Sequence, residues 1–323
     1  MAKNKPLIIG IHGLGNKPPQ KLLKKWWEMS ISEGLLNHYG ILPYFDFELV
    51  YWADYIYSEP MNLKTNDKTS PLYINEPYQK ANGQQYNKNL KERFLGYFRS
   101  KLGRIILSNN FYQTLPLVTE TIIKKYFREI DIYYSSETKY KVKFAAKEVI
   151  RSILAENMQK YRDRKILLIG HSMGSLIAYD VLSEIDFEID TFISAGSPIG
   201  IPYLLEKIKK EKGIDAADTL PVPNSIKNHW YNFTDPKDKI SCYFKLADFF
   251  KNNISGVIPE DKFVSNNYIC GEEHNPHKIY GYLRSKEVSE IIYTMIIENK
   301  SKSRLWFEST VSKILFKKDL WIK

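Results

Sequence analysis

The sequence predicts an α/β fold in which a mostly parallel central sheet is flanked by helices and interrupted by a largely helical insertion. Three observations carry that prediction. Residues 7–52 read as strand, helix and strand, which implies parallel strands joined by a right-handed crossover. An apolar run, Lys165-Ile-Leu-Leu-Ile169, meets an amphipathic stretch, Ser175 to Glu184, through the single turn Gly170-His171-Ser172-Met173-Gly174. Polar residues then follow the apolar runs in succession: His12, Ser172, Asp235 or Asp238, and His274 or His277. In an open parallel sheet such positions share one edge, the carboxyl ends of the strands, where ligands gather.

Taken in order, Leu7-Ile-Ile-Gly-Ile11 is a central strand closed by the glycine-permitted loop His12-Gly13-Leu14-Gly15. After Pro18-Pro19, the residues Leu22, Leu23, Trp26, Trp27, Met29 and Ile31 recur at helical spacing, predicting a helix that ends near Gly34 or Gly40. Phe45 to Trp52 is the next strand. From Asp54 the pattern breaks, and Ser58 to Asn89 reads as a long loop rich in Asn, Gln, Lys, Pro and Tyr. Helical spacing returns through Leu90, Phe94, Tyr97, Phe98, Leu102 and Ile105, and after Pro116 through Val118, Ile122, Tyr126 and Ile130. Residues 54–135 are therefore assigned to an insertion in a single domain spanning 1–323, either a lid or a helical decoration packed on the sheet.

Ser136 caps a helix running through Val142, Ala145, Val149, Ile153 and Leu154, which delivers the chain to the strand at Lys165. Ile189 to Ala195 is a strand closed by Gly196-Ser197-Pro198-Ile199-Gly200, and a Pro-containing segment follows to Asn228. His229 to Thr234 alternates into a further strand that ends at Asp235-Pro236-Lys237-Asp238-Lys239-Ile240. A last strand, about Phe263 to Cys270, leads to the loop that carries His274 and His277, then to a helix from about Lys286 to Ile297.

The formal charge of +10 comes from lysines spread along the chain, so it reads as solvated surface, and no nucleic-acid partner is expected. Aromatic residues make up 14%, which suits an extended apolar contact surface. Cys242 and Cys270 lack metal-ligand spacing and are expected to be buried thiols. With no signal-type apolar region after Lys3 and Lys5, and no run long enough to span a bilayer, the expected location is the reducing cytoplasm. Residues 300–323 interleave Trp306, Phe307, Val311, Ile314, Leu315, Phe316, Leu320 and Trp321 with lysines. That tail is either a terminal helix docked on the core or a basic amphipathic segment lying peripherally on an anionic membrane.

Ser172 is the candidate nucleophile. A strand-to-helix turn this tight brings any Cβ two positions before or after the serine against backbone, so glycine is required there. The serine is expected to be strained, with its Oγ lifted clear at the positive end of the following helix. A hydroxyl attacks only when a base removes its proton, and an imidazole does so when a carboxylate fixes its tautomer. Ser194 and Ser197 lack the glycine-flanked turn and are lining residues at most. His171, in the variable slot of the turn, is expected to be structural. His274 and His277 have no third ligand beside them to make a metal site.

These residues resemble the α/β-hydrolase superfamily and are most similar to its lipase and esterase branch. The resemblance rests on Gly170-His171-Ser172-Met173-Gly174, His12-Gly13-Leu14-Gly15, the acid after a late strand and the histidine after the last. It covers residues 6–53 and 140–298, and neither the insertion nor the tail. It implies an α/β-hydrolase fold and a serine carboxylic-ester hydrolase working through an acyl-enzyme, with Ser172, His277 and Asp238 as the triad. It also implies an oxyanion hole from the backbone N–H groups of Leu14 and Met173, with His12 bracing the first of these loops. Asp238 is preferred because an apolar residue stands two positions later, as in the family, whereas Asp235 before Pro236 looks like a turn former; Asp235 stays as the alternative acid. His277 precedes an aromatic helix entry, Lys278-Ile-Tyr-Gly-Tyr-Leu283, and His274 is the alternative base. The implied substrate is an ester or lipid-like molecule with an apolar acyl group, and thioester cleavage or acyl transfer would use the same groups. Such chemistry requires no cofactor and no metal. A non-catalytic scaffold that binds a membrane surface or a protein is the competing expectation, drawn from the insertion and the basic tail.

Overall fold

Strands whose central positions are all apolar must be covered on both faces, and this chain supplies them in Pro-Leu-Ile-Ile-Gly-Ile and Lys-Ile-Leu-Leu-Ile-Gly-His. In a computed structural model of the protein, which describes residues 5–81, 130, 133–134, 146–241, 245–298 and 300–320, these runs lie side by side. The strands are β1 (Pro6–Ile11), β2 (Phe47–Val50), β3 (Lys165–His171), β4 (Ile189–Ala195), β5 (Ile226–Thr234) and β6 (Pro259–Phe263). They form one six-stranded sheet in the order β2-β1-β3-β4-β5-β6, with every neighbouring pair parallel. The fold is the parallel sheet flanked by helices that the sequence predicts.

Alternate side chains of each central strand point to opposite faces. Leu7, Ile9, Ile166 and Leu168 pack against α2 (Ala146–Lys160), α3 (Met173–Leu182) and α4 (Pro202–Glu211). Ile8, Leu167 and Ile169 pack on the other side, against α1 (Gln20–Tyr39), α5 (Ile279–Leu283) and α6 (Lys286–Ile297). Of the two stops foreseen for α1, the chain uses Gly40, at φ 66, whose N–H bonds the Leu36 carbonyl at 3.0 Å.

The strand order places the functional loops. From β1 the chain moves out to β2, returns past β1 to β3, and then proceeds in the other direction through β4, β5 and β6. The switch point lies between β1 and β3, paired from Pro6–Lys165 to Ile11–Gly170. The loop after Ile11 and the turn after His171 therefore flank one crevice.

Several expectations are corrected. The last sheet strand is Pro259–Phe263, not Phe263 to Cys270; Val264 and Tyr268 are buried as loop residues, and Ile269–Cys270 pairs separately with Glu273–His274. The Pro-containing segment before Asn228 contains α4, which starts on Pro202 and buries Leu204, Leu205 and Ile208. Cys270 is half-buried, with its thiol 3.5 Å from the Asn75 carbonyl, and Cys242 lies outside the described residues. The helices expected across Leu90 to Ile105 and Val118 to Tyr126, and the Ser136 cap, also lie outside them.

From the 3₁₀ turn Ala53–Tyr55 to residue 81 the chain runs as turns and loop, fastened at its far end by a buried ion pair. The side chains of Arg284 and Glu33 are 2% and 1% exposed and meet at 3.0 Å. Glu33 also accepts from the Tyr78 hydroxyl and the Ala81 N–H, at 2.9 and 2.8 Å, while Arg284 donates to the Gln79 carbonyl at 2.6 Å. The tail forms α7 (Lys302–Leu320), docked on the loop entering β2: Ser309 Oγ accepts from Leu42 N–H at 3.0 Å and Glu308 accepts from Tyr44 N–H at 3.2 Å. Trp306 and Phe307 face outward, 71% and 63% exposed. Among the described residues no helix is long and apolar enough to cross a membrane.

Candidate active site

β3 ends, the chain turns, and α3 begins within three residues, which leaves Ser172 at φ 56 and ψ −127. Among the described residues it is the one non-glycine at positive φ, the kind of local strain held where the surroundings over-determine it. Those surroundings are backbone. A Cβ on Gly174 would sit 2.4 Å from the Ile11 carbonyl oxygen, so the start of α3 is wedged against the end of β1. On the other side of the crevice, a Cβ on Gly13 would lie 2.7 Å from Ser172 Cβ. The loop after β1 thus passes directly over the serine, and only a residue without a side chain fits between them. Ser172 N–H bonds the Ala195 carbonyl at 3.0 Å, tying the turn to the end of β4.

Loops from distant parts of the chain bring an imidazole and a carboxylate to this serine. His277 Nε2 lies 2.9 Å from Ser172 Oγ, and His277 Nδ1 lies 2.8 Å from Asp238 Oδ2. Asp238 also accepts from the Tyr282 hydroxyl at 2.7 Å and from Ile240 N–H at 2.9 Å. Burial works to raise the Asp238 carboxyl, but the His277 charge and the hydrogen bonds from His277, Tyr282 and Ile240 outweigh it and hold the group below its ordinary value. An ionised Asp238 accepts from Nδ1–H, which leaves Nε2 with a lone pair toward the Ser172 hydroxyl.

The model of the lecithin:cholesterol acyltransferase family matches residues 149–210, the span that carries most of α2, β3, the strained serine, α3, β4 and most of α4. That span is about a fifth of the chain. A probable mitochondrial phospholipase of Saccharomyces cerevisiae is 42% identical over 52 residues, which is 15% of this chain. The match spans only 7% of that curated relative's length. Solved structures similar to this chain include a lipase-esterase related protein from Clostridium acetobutylicum, at 11% identity and TM-score 0.30, covering 91% of this chain and 96% of that one. The Pyrococcus furiosus esterase Pf2001 is 12% identical with TM-score 0.31, covering 91% of this chain and 83% of its own. Superpositions this loose add nothing to the topology read from the strand register.

Asp235 and His274, the alternatives, are both tied to Asn266. Asp235 accepts from Lys237 N–H at 2.7 Å and Asn266 N–H at 2.6 Å, and burial pushes its carboxyl up against those two bonds. His274 Nε2 donates to the Asn266 carbonyl at 2.6 Å. Ser194 and Ser197 bond elsewhere, to Asn232 and Ser175 at 2.9 and 2.7 Å. His171 Nε2 donates to the His277 carbonyl at 2.7 Å, and burial, then the His277 charge, keeps His171 well below its ordinary range. Two polar partners were not foreseen. Tyr282, seen only as part of an aromatic helix entry, bridges Asp238 to the N–H of Asp235, which it accepts at 3.1 Å. Asn266 has no local sequence signal at all.

His12 shows how the loop after β1 keeps its shape. Its Nδ1–H donates to the Gly13 carbonyl at 2.8 Å and its Nε2 accepts Trp52 N–H at 3.1 Å, so the ring must be neutral. Burial, helped by the charge of Lys17, lowers its pKa to about 3. In the unfolded chain a histidine titrates near ~6.5. The unfolded state therefore binds the extra proton first, and stability falls as pH drops below that value. The expected loss is about 1.4 kcal/mol per pH unit, or roughly 2 kcal/mol between pH 6.5 and 5. Urea midpoints measured across that window check it, and His12→Gln should flatten the slope.

Proposed function

We propose that this chain is a serine hydrolase that cleaves carboxylic esters through an acyl-enzyme. The observation that carries the reading is the hydrogen-bonded line from Ser172 Oγ through His277 to Asp238, built on a serine at φ 56. In this reading Ser172 Oγ attacks the ester carbonyl while its proton passes to His277 Nε2, and Asp238 stabilises the imidazolium. The same proton then goes to the leaving alcohol. Water, deprotonated by His277, releases the acid and restores the serine.

Charge developing on the carbonyl oxygen needs fixed donors, for which the N–H groups of Leu14 and Met173 are proposed. The carbonyl of Gly13 is held by His12, and in a trans peptide the N–H of the same plane, that of Leu14, points the opposite way. Met173 opens α3, so its N–H has no carbonyl one turn back within the helix. Loss of one such donor costs about 3–4 kcal/mol of barrier. The names of the matched family and of the yeast relative support a lipid-like ester with an apolar acyl group as the substrate.

The test is intact-mass analysis after treatment with an alkyl fluorophosphonate, with and without detergent or lipid. Ser172 Oγ should bond to phosphorus as fluoride leaves, giving one adduct on the wild type and none on Ser172→Ala. Folded wild-type protein that stays unmodified under every condition would overturn the proposal.

A further inference from the structure

Three successive carbonyls run through the loop that carries His277, and each has a side chain donating to it. The Asn266 carboxamide donates one N–H to the Pro276 carbonyl at 2.9 Å and the other to the Lys278 carbonyl at 2.8 Å. Between them, the His277 carbonyl accepts from His171 Nε2 at 2.7 Å. His277 N–H, in turn, donates to Asn275 Oδ1 at 2.9 Å. The peptide planes on both sides of the His277 Cα are therefore fixed, and with them the direction in which its Cβ leaves the backbone.

Asn266 is itself fully engaged. It is 1% exposed. Its N–H donates to Asp235 Oδ2 at 2.6 Å, its carbonyl accepts from His274 Nε2 at 2.6 Å, and its Oδ1 accepts from Tyr268 N–H at 3.1 Å. Every donor and acceptor of the residue has a partner. The acid and the histidine that compete with Asp238 and His277 in the sequence thus both grip Asn266, which in turn grips the backbone on either side of His277.

We propose that Asn266 is a positioning residue for His277, setting the loop so that the imidazole reaches Ser172 and Asp238 together. The proposal rests on the reading of Ser172 and His277 as nucleophile and base. Once the backbone is fixed, the imidazole has two torsions left, and the bonds to Ser172 Oγ and Asp238 Oδ2 use both. Without the carboxamide the Pro276 carbonyl loses its donor and the Lys278 carbonyl keeps Gly281 N–H, at 3.2 Å, so the loop is released to shift toward new partners. A displacement of about 1 Å at a reacting group can lower a rate about 100-fold.

The experiment compares wild type, Asn266→Ala and Asn266→Asp, the last keeping the shape but turning a carboxylate oxygen toward the two carbonyls. Circular-dichroism melts verify the fold. The readouts are the rate of alkyl fluorophosphonate labelling, kcat and KM on p-nitrophenyl butyrate, and the far-downfield proton resonance of the His277–Asp238 hydrogen bond. Folded variants should label about 100-fold more slowly, with kcat falling by the same factor and KM within about twofold of wild type. Their downfield resonance should broaden or vanish. Wild-type rates together with an unchanged resonance would overturn the proposal. If Asn266→Ala fails to fold, Asn266→Asp decides; loss of the fold in both would assign Asn266 to the fold alone and overturn it too. Should wild type itself neither label nor turn over ester, the nucleophile reading fails separately, and the resonance alone decides whether Asn266 holds His277.

Discussion

Asp238→Asn is expected to lower ester turnover about 10⁴-fold while leaving the fold intact. With its oxygen in the Oδ1 place asparagine still accepts from Ile240 N–H, while its NH₂ in the Oδ2 place faces His277 Nδ1 and the Tyr282 hydroxyl, which must turn to accept. What changes is the partner of His277 Nδ1. An amide NH₂ facing that nitrogen favours the tautomer whose proton is on Nε2, and a protonated Nε2 cannot take the proton of Ser172. Asp235→Asn makes the contrast, because its carboxylate receives the backbone N–H groups of Lys237 and Asn266. That change should cost about 1–3 kcal/mol of stability and far less turnover than Asp238→Asn. Steady-state rates for the two variants on p-nitrophenyl butyrate, beside urea denaturation, separate the roles; equal losses of turnover would mean that the acid has been assigned wrongly.

The largest effect on stability is expected from Arg284→Met. Arg284 and Glu33 are buried together, and removing the cation leaves a buried carboxylate held, among the described residues, by the Tyr78 hydroxyl and the Ala81 N–H. Breaking a buried pair from one side costs about 3–5 kcal/mol. The Gln79 carbonyl loses its donor as well, so the end of the segment before residue 82 should loosen with the core. Pairing the change with Glu33→Gln removes the stranded charge, and the double variant should recover a large part of the loss. Denaturant midpoints give both numbers, and a double variant no better than the single one would argue against the ion pair as the cause.

How much of this was legible depended on where each signal resides. β1 and β3 could be read because a strand covered on both faces is apolar along its centre, and Ser172 could be read because its turn tolerates only glycine at Gly170 and Gly174. β6 could not. As an edge strand it pairs with β5 alone, and Glu-Asp-Lys gives no apolar pattern, whereas Val264 and Tyr268 look like strand residues yet are buried in a loop. The choice between Asp235 and Asp238 was beyond sequence pattern as well. The two stand three residues apart in one loop, and what separates them is the placement of Tyr282 and His277, which arrive from another element. Asn266 and the Arg284–Glu33 pair act across the fold, the latter between residues 251 positions apart, so no window of sequence contains the interaction.

The terminal helix sits at the end of the sheet where strands begin, because its anchors, Leu42 and Tyr44, lie in the segment leading into β2. Ser172 lies where they finish. Seven residues of β3 separate the two ends, about 20 Å at the rise of a strand. Any surface gripped by the outward Trp306 and Phe307 would therefore be out of reach of the serine. Such a grip could keep the molecule local to that surface, but its substrate would have to arrive from the opposite side, through solution or from a second surface facing the crevice.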